Sequence, residues 1–99
     1  MGVIRIIDAS NGIDFIGSRQ TGEKIRKNME LFFDKKESVT LDFVNVRSIT
    51  QSFTDEVIGI FVRAYGIDFI KKNVRIVNYN EDIRQTFNYV ASYSKRMSA

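Results

Sequence analysis

Short β-branched runs alternate with stretches of helical periodicity along this chain of 99 residues, and that alternation restricts its fold more than any other feature. Residues 3–7 read as a strand, broken by the polar turn Asp8-Ala9-Ser10-Asn11-Gly12, and residues 13–16 suggest a second short strand closing a hairpin on the first. Ser18 or Thr21 opens a helix in which Ile25, Met29, Phe32 and Phe33 recur at i, i+4, i+7 and i+8, and Asp34-Lys35-Lys36-Glu37 ends it. In the strand over 38–44, Val39, Leu41 and Phe43 share one face and Thr40, Asp42 and Val44 the other. Ser52-Phe53-Thr54-Asp55 then has the spacing of a capping box, with Asp55 in place of the usual Glu or Gln. The helix behind it is apolar around much of its surface from Phe53 to Tyr65, the mark of a buried helix, and Gly66 supplies its stop. After the turn Lys71-Lys72-Asn73 comes a strand over 74–77. Asn80 caps a last helix with Ile83, Phe87, Val90 and Ala91 on one face, expected to fray over 94–99.

The order β(β)αβαβα defines an α/β chain, bordering on α+β. Strands separated by helices need crossover connections, so the expectation is a mixed sheet of about four strands with three helices. No Pro occurs and no Gly/Ser-rich linker divides the chain, so residues 1–99 read as one domain. The pentapeptide Gly-Ile-Asp-Phe-Ile occurs at 12–16 and again at 66–70, but its flanks differ and it is too short for a structural repeat.

Composition then removes whole classes of function. With no Cys and no His there is no zinc finger, disulfide framework, thiol nucleophile or Ser-His-Asp triad. A hydroxyl or lysine nucleophile remains chemically open, yet no residue set forms a nucleophile–base pair, so a non-enzymatic protein without a cofactor is expected. Fifteen Lys+Arg against twelve Asp+Glu leave a net charge of only +3, with the signs interleaved. Lys35-Lys36, Lys71-Lys72 and Lys95-Arg96 are pairs rather than a basic face, which reads as solvated surface and not a nucleic-acid footprint. Tyr79, Tyr89 and Tyr93 read as helix-packing and tail residues for the same reason. No segment has the length of apolar chain that a membrane span needs, and residues 1–8 show no signal-peptide pattern, which makes the cytoplasm the expected compartment.

Three constellations remain. Ser52 heads the buried helix, where free backbone N–H groups favour an anion or a phosphoryl group on its hydroxyl. The competing reading is a simple N-cap, which the repulsion of Asp55 and Glu56 toward phosphate favours. Arg19 and Gly22 at the head of the first helix offer an anion site, against a solvated Arg19 and a Gly22 that only allows close packing on the sheet. Asp42, Asp55 and Glu56 are the only carboxylates able to converge on a cation, but the last two suit a helix's first turn anyway, and no metal is assigned.

The pattern of an apolar strand, Asn45-Val46, Ser48-Ile49-Thr50, then Ser52 at the head of an apolar helix resembles a STAS domain. More closely, Leu41-Asp42-Phe43 with Ile49-Thr50-Gln51-Ser52-Phe53-Thr54-Asp55-Glu56, and Ser18-Arg19-Gln20-Thr21-Gly22 upstream, is similar to small bacterial STAS-like proteins of unestablished function, related to anti-sigma factor antagonists. The resemblance implies partner switching, in which a histidine-kinase-like ATP-binding protein phosphorylates a serine at the position of Ser52. It places the partner-binding surface on Arg47, Thr50, Gln51, Ser52, Asp55 and Glu56. The antagonist motif Asp-Ser-Ser-Gly is replaced here by Thr50-Gln51-Ser52-Phe53, which removes the acid before the serine and the glycine after it. The alternative that the resemblance carries is a small-ligand or nucleotide sensor. Oligomeric state is not set by the sequence.

Overall fold

The computed structural model describes residues 2–97. Strand β1 (Gly2–Arg5) runs straight into a single helical turn, α1 (Ile6–Ala9). Strand β2 (Phe15–Ile16) precedes the long helix α2 (Arg19–Asp34), capped by the Ser18 side chain on the Thr21 N–H. Lys36, at φ 60°, turns the chain out of α2 within the charged tract expected to end it. Strands β3 (Val39–Asp42) and β4 (Ser48–Ile49) follow. Next come α3 (Gln51–Thr54), a π-helical segment (Asp55–Gly59) and α4 (Ile60–Tyr65), one continuous helical rod that Gly66 stops at φ 91°. The chain closes with α5 (Ile67–Asn73), β5 (Val74–Val77) and α6 (Glu81–Met97).

The main sheet has the order β1-β3-β5 and is wholly parallel, with Val39 opposite both Gly2 and Val74. Parallel neighbours must be joined through helices, and central strand β3 is accordingly buried at Val39, Thr40 and Leu41 in succession rather than alternating. Ile4, Val39, Leu41 and Phe43 meet Ile25 and Met29 of α2, Phe53, Val57 and Phe61 of the rod, and Ile83, Phe87 and Val90 of α6 in one core. Edge-on aromatic contacts lock it, Phe43 on Phe87 and Phe33 on both Phe61 and Phe69.

Several expectations are corrected. There is no hairpin at the start: Ile6 is fully buried and Ser10 Oγ donates to the Ile7 and Ile13 carbonyls, folding the segment into a helical turn. Strand β2 instead pairs in parallel with β4 in a separate two-stranded sheet, so neither sheet is mixed among the described residues. The segment expected to be a turn before β5 is α5, because Ile70 is buried and Phe69 packs on Phe33 and Tyr65. Helix α6 does not fray after Tyr93; it runs on to Met97 because Ser94 is fully buried, and residues 98–99 lie outside the described residues.

Candidate functional site

The small β2–β4 sheet determines how the helical rod begins. Ile16 C=O accepts from the Thr50 N–H at 3.1 Å, and Thr50 Oγ1 donates to Gly17 C=O at 3.0 Å. Thus tethered with extended backbone, Thr50 is the N-cap: its Oγ1 accepts from the Phe53 N–H at 3.1 Å, and its carbonyl takes both the N–H and the hydroxyl of Thr54. The expected capping box at Ser52 is therefore corrected. Ser52 lies in the first turn, exposed, and its hydroxyl has no hydrogen-bond partner among the described residues.

Behind it the rod loosens into the π segment. An α-helix turns by about 100° per residue, so positions eight apart lie about 80° out of line; one residue accommodated in a π turn brings them back onto one face. That realignment joins Asp55 to Arg63, with Arg63 Nη1 donating to Oδ1 at 2.7 Å and Nη2 to Oδ2 at 3.3 Å. Ser94 Oγ of α6 accepts from Arg63 Nη1 at 3.1 Å. Gly59 makes the room: a Cβ there would overlap Asp55 Oδ1 and stand 3.0 Å from Ser94 Oγ and 3.2 Å from Arg63 Nη1.

From α2, Arg19 Nη1 donates to Asp55 Oδ2 at 3.1 Å and to Glu56 Oε2 at 2.7 Å. Buried Glu56 also takes Arg26 Nε at 3.4 Å, and Arg26 reaches Glu30. Three arginines and three carboxylates thus form one network across α2 and the rod. Burial would push the Asp55 carboxyl up, but the hydrogen bonds from Arg63 and then Arg19 outweigh it and hold Asp55 below the ordinary carboxylate value. Both arginines are raised in turn, Arg19 chiefly by its bond to Glu56 and Arg63 by its bond to Asp55.

Above this network lies an open cleft of about 570 Å³ lined by Arg19, Gln51, Ser52, Asp55 and Arg63 on one side and Tyr89, Tyr93 and Met97 of α6 on the other. The Tyr89 and Tyr93 rings stack with planes 9° apart and centroids at 6.4 Å, while remaining 54% and 43% exposed.

The expected partner surface divides accordingly. Gln51, Ser52 and Asp55 line the cleft together. Thr50 is the cap, and Glu56 is buried, so neither presents the free side chain expected of a partner surface. Arg47 lies apart at the β2–β4 corner, pairing with Asp14 at 3.3 Å while its carbonyl accepts from Asn80 of the α6 cap. At the expected anion site, Arg19 already holds two carboxylates. A Cβ on Gly22 would come within 2.7 Å of Glu56 Cβ, so this glycine admits the π segment rather than the sheet or an anion. Asp42 does not join Asp55 and Glu56: it accepts from the Val44 N–H and Asn78 Nδ2, which hold it below its ordinary value, Asn78 most strongly. No group of carboxylates able to hold a metal occurs among the described residues. Sequence reasoning passed over Gly59, Arg63 and Met97 and assigned Tyr89 and Tyr93 to packing. Their signal was a glycine inside an otherwise apolar helix and an exposed i, i+4, i+8 stripe on α6.

A small parallel α/β domain with an open cleft at the head of a buried helix is the class defined by this fold and cleft. Within it, the model of the STAS-like domain of unknown function (DUF4325) matches residues 21–84, well over half of the chain, and the protein belongs to that family. Comparison with curated proteins and with solved structures gave no match. No helix among the described residues is long and apolar enough to cross a membrane.

Proposed function

We propose that this STAS-like domain is a non-enzymatic interaction module that engages a protein partner through the cleft at the head of α3, with Ser52 as the phosphoacceptor that switches the contact. The observation carrying this reading is the Ser52 hydroxyl, exposed on the cleft and free of the capping duty that Thr50 performs. A phosphoryl group there adds about −1.5 to −2 charges near neutral pH, in a cleft that Arg19 also lines and within the first turn of the rod. A histidine-kinase-like ATP-binding protein, taken from the resemblance to anti-sigma factor antagonists, is the first partner to test. Ser52→Asp should weaken capture of a partner that the wild-type domain retains, with native circular dichroism. Equal capture by both proteins refutes the switch.

The cleft volume of about 570 Å³ favours a second reading, a small-ligand or nucleotide sensor, since ligand pockets commonly occupy about 300–1,000 Å³. A nucleotide panel at millimolar concentration should then raise the melting temperature, and no shift with any member removes this reading.

A further inference from the structure

We infer that the partner presents an acidic segment with an apolar flank, a carboxylate seating on Arg19 and an apolar side chain on the Tyr89–Tyr93–Met97 wall. This rests on the proposal that the cleft is a protein-binding face and adds the chemistry of what binds there. Charge complementarity carries it. The acids around the cleft are already engaged: Asp55 accepts from Arg63 and Arg19, and Glu56 is buried between Arg19 and Arg26. An incoming cation would meet no free carboxylate in the cleft lining.

The arginines are not equivalent. Arg19 is 56% exposed and makes both its bonds through Nη1, leaving Nε and Nη2 without a partner among the described residues. It is also the member the network can release. Asp55 would keep Arg63 and Glu56 would keep Arg26, so neither acid would be left buried and unpaired when Arg19 swings to a partner's carboxylate. Arg96 adds a second exposed cation, seven residues from Tyr89 and three from Tyr93 and hence on their side of α6.

The apolar half of the partner follows from the other wall. Tyr89, Tyr93 and Met97 repeat every four residues on the exposed face of α6, offering flat ring faces and a pliable thioether beside the cations. Tyr and Arg together are the residue types that concentrate binding energy at protein interfaces.

The test is selection of a random peptide library displayed on phage against the whole chain, followed by titration of the enriched peptides against wild-type, Arg19→Gln and Tyr93→Ala proteins of native circular dichroism. Enriched peptides should carry Asp or Glu within a few positions of Leu, Ile, Phe or Met, and each substitution should weaken them by about tenfold or more. Tyr93→Ala keeps the test decisive should Arg19→Gln disturb the fold. Basic or uncharged peptides, an empty selection, or binding indifferent to both substitutions overturns the inference. Amide-shift mapping separates the two levels. Basic peptides that perturb Gln51, Ser52 and Tyr93 refute the acidic chemistry but keep the face, whereas shifts confined elsewhere refute the face as well.

Discussion

Replacing a helical glycine by alanine usually stabilises a protein by about 0.5–1 kcal/mol, and Gly59→Ala should do the reverse. The new methyl would overlap Asp55 Oδ1 and press on Ser94 Oγ and Arg63 Nη1. Displacing that oxygen breaks the 2.7 Å bond from Arg63, a hydrogen bond between charged groups contributing about 1.5–3 kcal/mol in a partly buried setting. Asp55 is 20% exposed, so water recovers part of the loss, and the helix-propensity gain offsets more. The net is a destabilisation of about 1–2 kcal/mol, or about 4–15 °C in melting temperature for a domain of this size. Urea unfolding should show a lower midpoint at unchanged slope. The same exchange in an Asp55→Ala background removes the overlap with Oδ1, leaving only the tight approach to Ser94 and Arg63, and should cost clearly less than in wild type, so the double-mutant cycle isolates the pair. A Gly59→Ala protein as stable as wild type, or one equally damaged without Asp55, would refute the account of why the rod carries a π segment.

The cap assignment gives a second contrast. Thr50→Ala should cost about 1–2 kcal/mol through loss of the cap and of the Gly17 bond, whereas Ser52→Ala should stay within about 0.5 kcal/mol. Urea midpoints ranking the two the other way would restore Ser52 as the cap. Acid titration gives a third. Burial raises the Asp55 carboxyl, but Arg63 and Arg19 bring it below its unfolded value of about 3.9, so the unfolded chain binds more protons and stability rises with pH there. This contribution is complete above the unfolded value and is lost as pH falls through the lower folded one. Asp55→Asn should therefore be less stable at neutral pH and lose less on acidification below about pH 4, and parallel acid profiles of the two proteins would contradict it.

What the sequence revealed, and what it hid, divides along the line between local and tertiary causes. The α2 periodicity, the position of β3, the Gly66 stop and the Asn80 cap were all legible, because each depends on residues within a turn or two; the alternation expected in β3 was not, because helices cover both faces of a central parallel strand. Thr50 and Ser52 are equally good caps in isolation. Only the pairing of β2 with β4, brought together from 33 positions apart in the Thr50–Gly17 bond, decides between them. The π segment was hidden for a different reason. A periodicity fixed at about 100° cannot represent one accommodated residue, and its trace was an apolar pattern smeared around the helix. An Asp55–Arg63 pair at a spacing of eight has no meaning in an ideal α-helix. Tyr89 and Tyr93, expected to pack, instead stand half-exposed on the cleft wall, a placement set by how α6 docks on the rod rather than by anything local in its sequence.

The same division explains how the serine proposed as the switch can sit in so well-ordered a place. Thr50 closes the helix, Gly59 and Arg63 fix the π turn, and Glu56 is held from two sides, so the fold does not depend on the Ser52 hydroxyl. Arg19 connects the two regimes. It reaches from the cleft to both acids of the network, yet each acid retains another arginine when it leaves. On the proposed reading, a phosphoryl group on Ser52 and a carboxylate from a partner enter the one cleft that Arg19 lines, and neither unsettles the core. Under that arrangement Ser52→Asp should lose partner binding while keeping wild-type stability. A loss of binding that tracked a loss of stability would mean the serine acts through the fold instead.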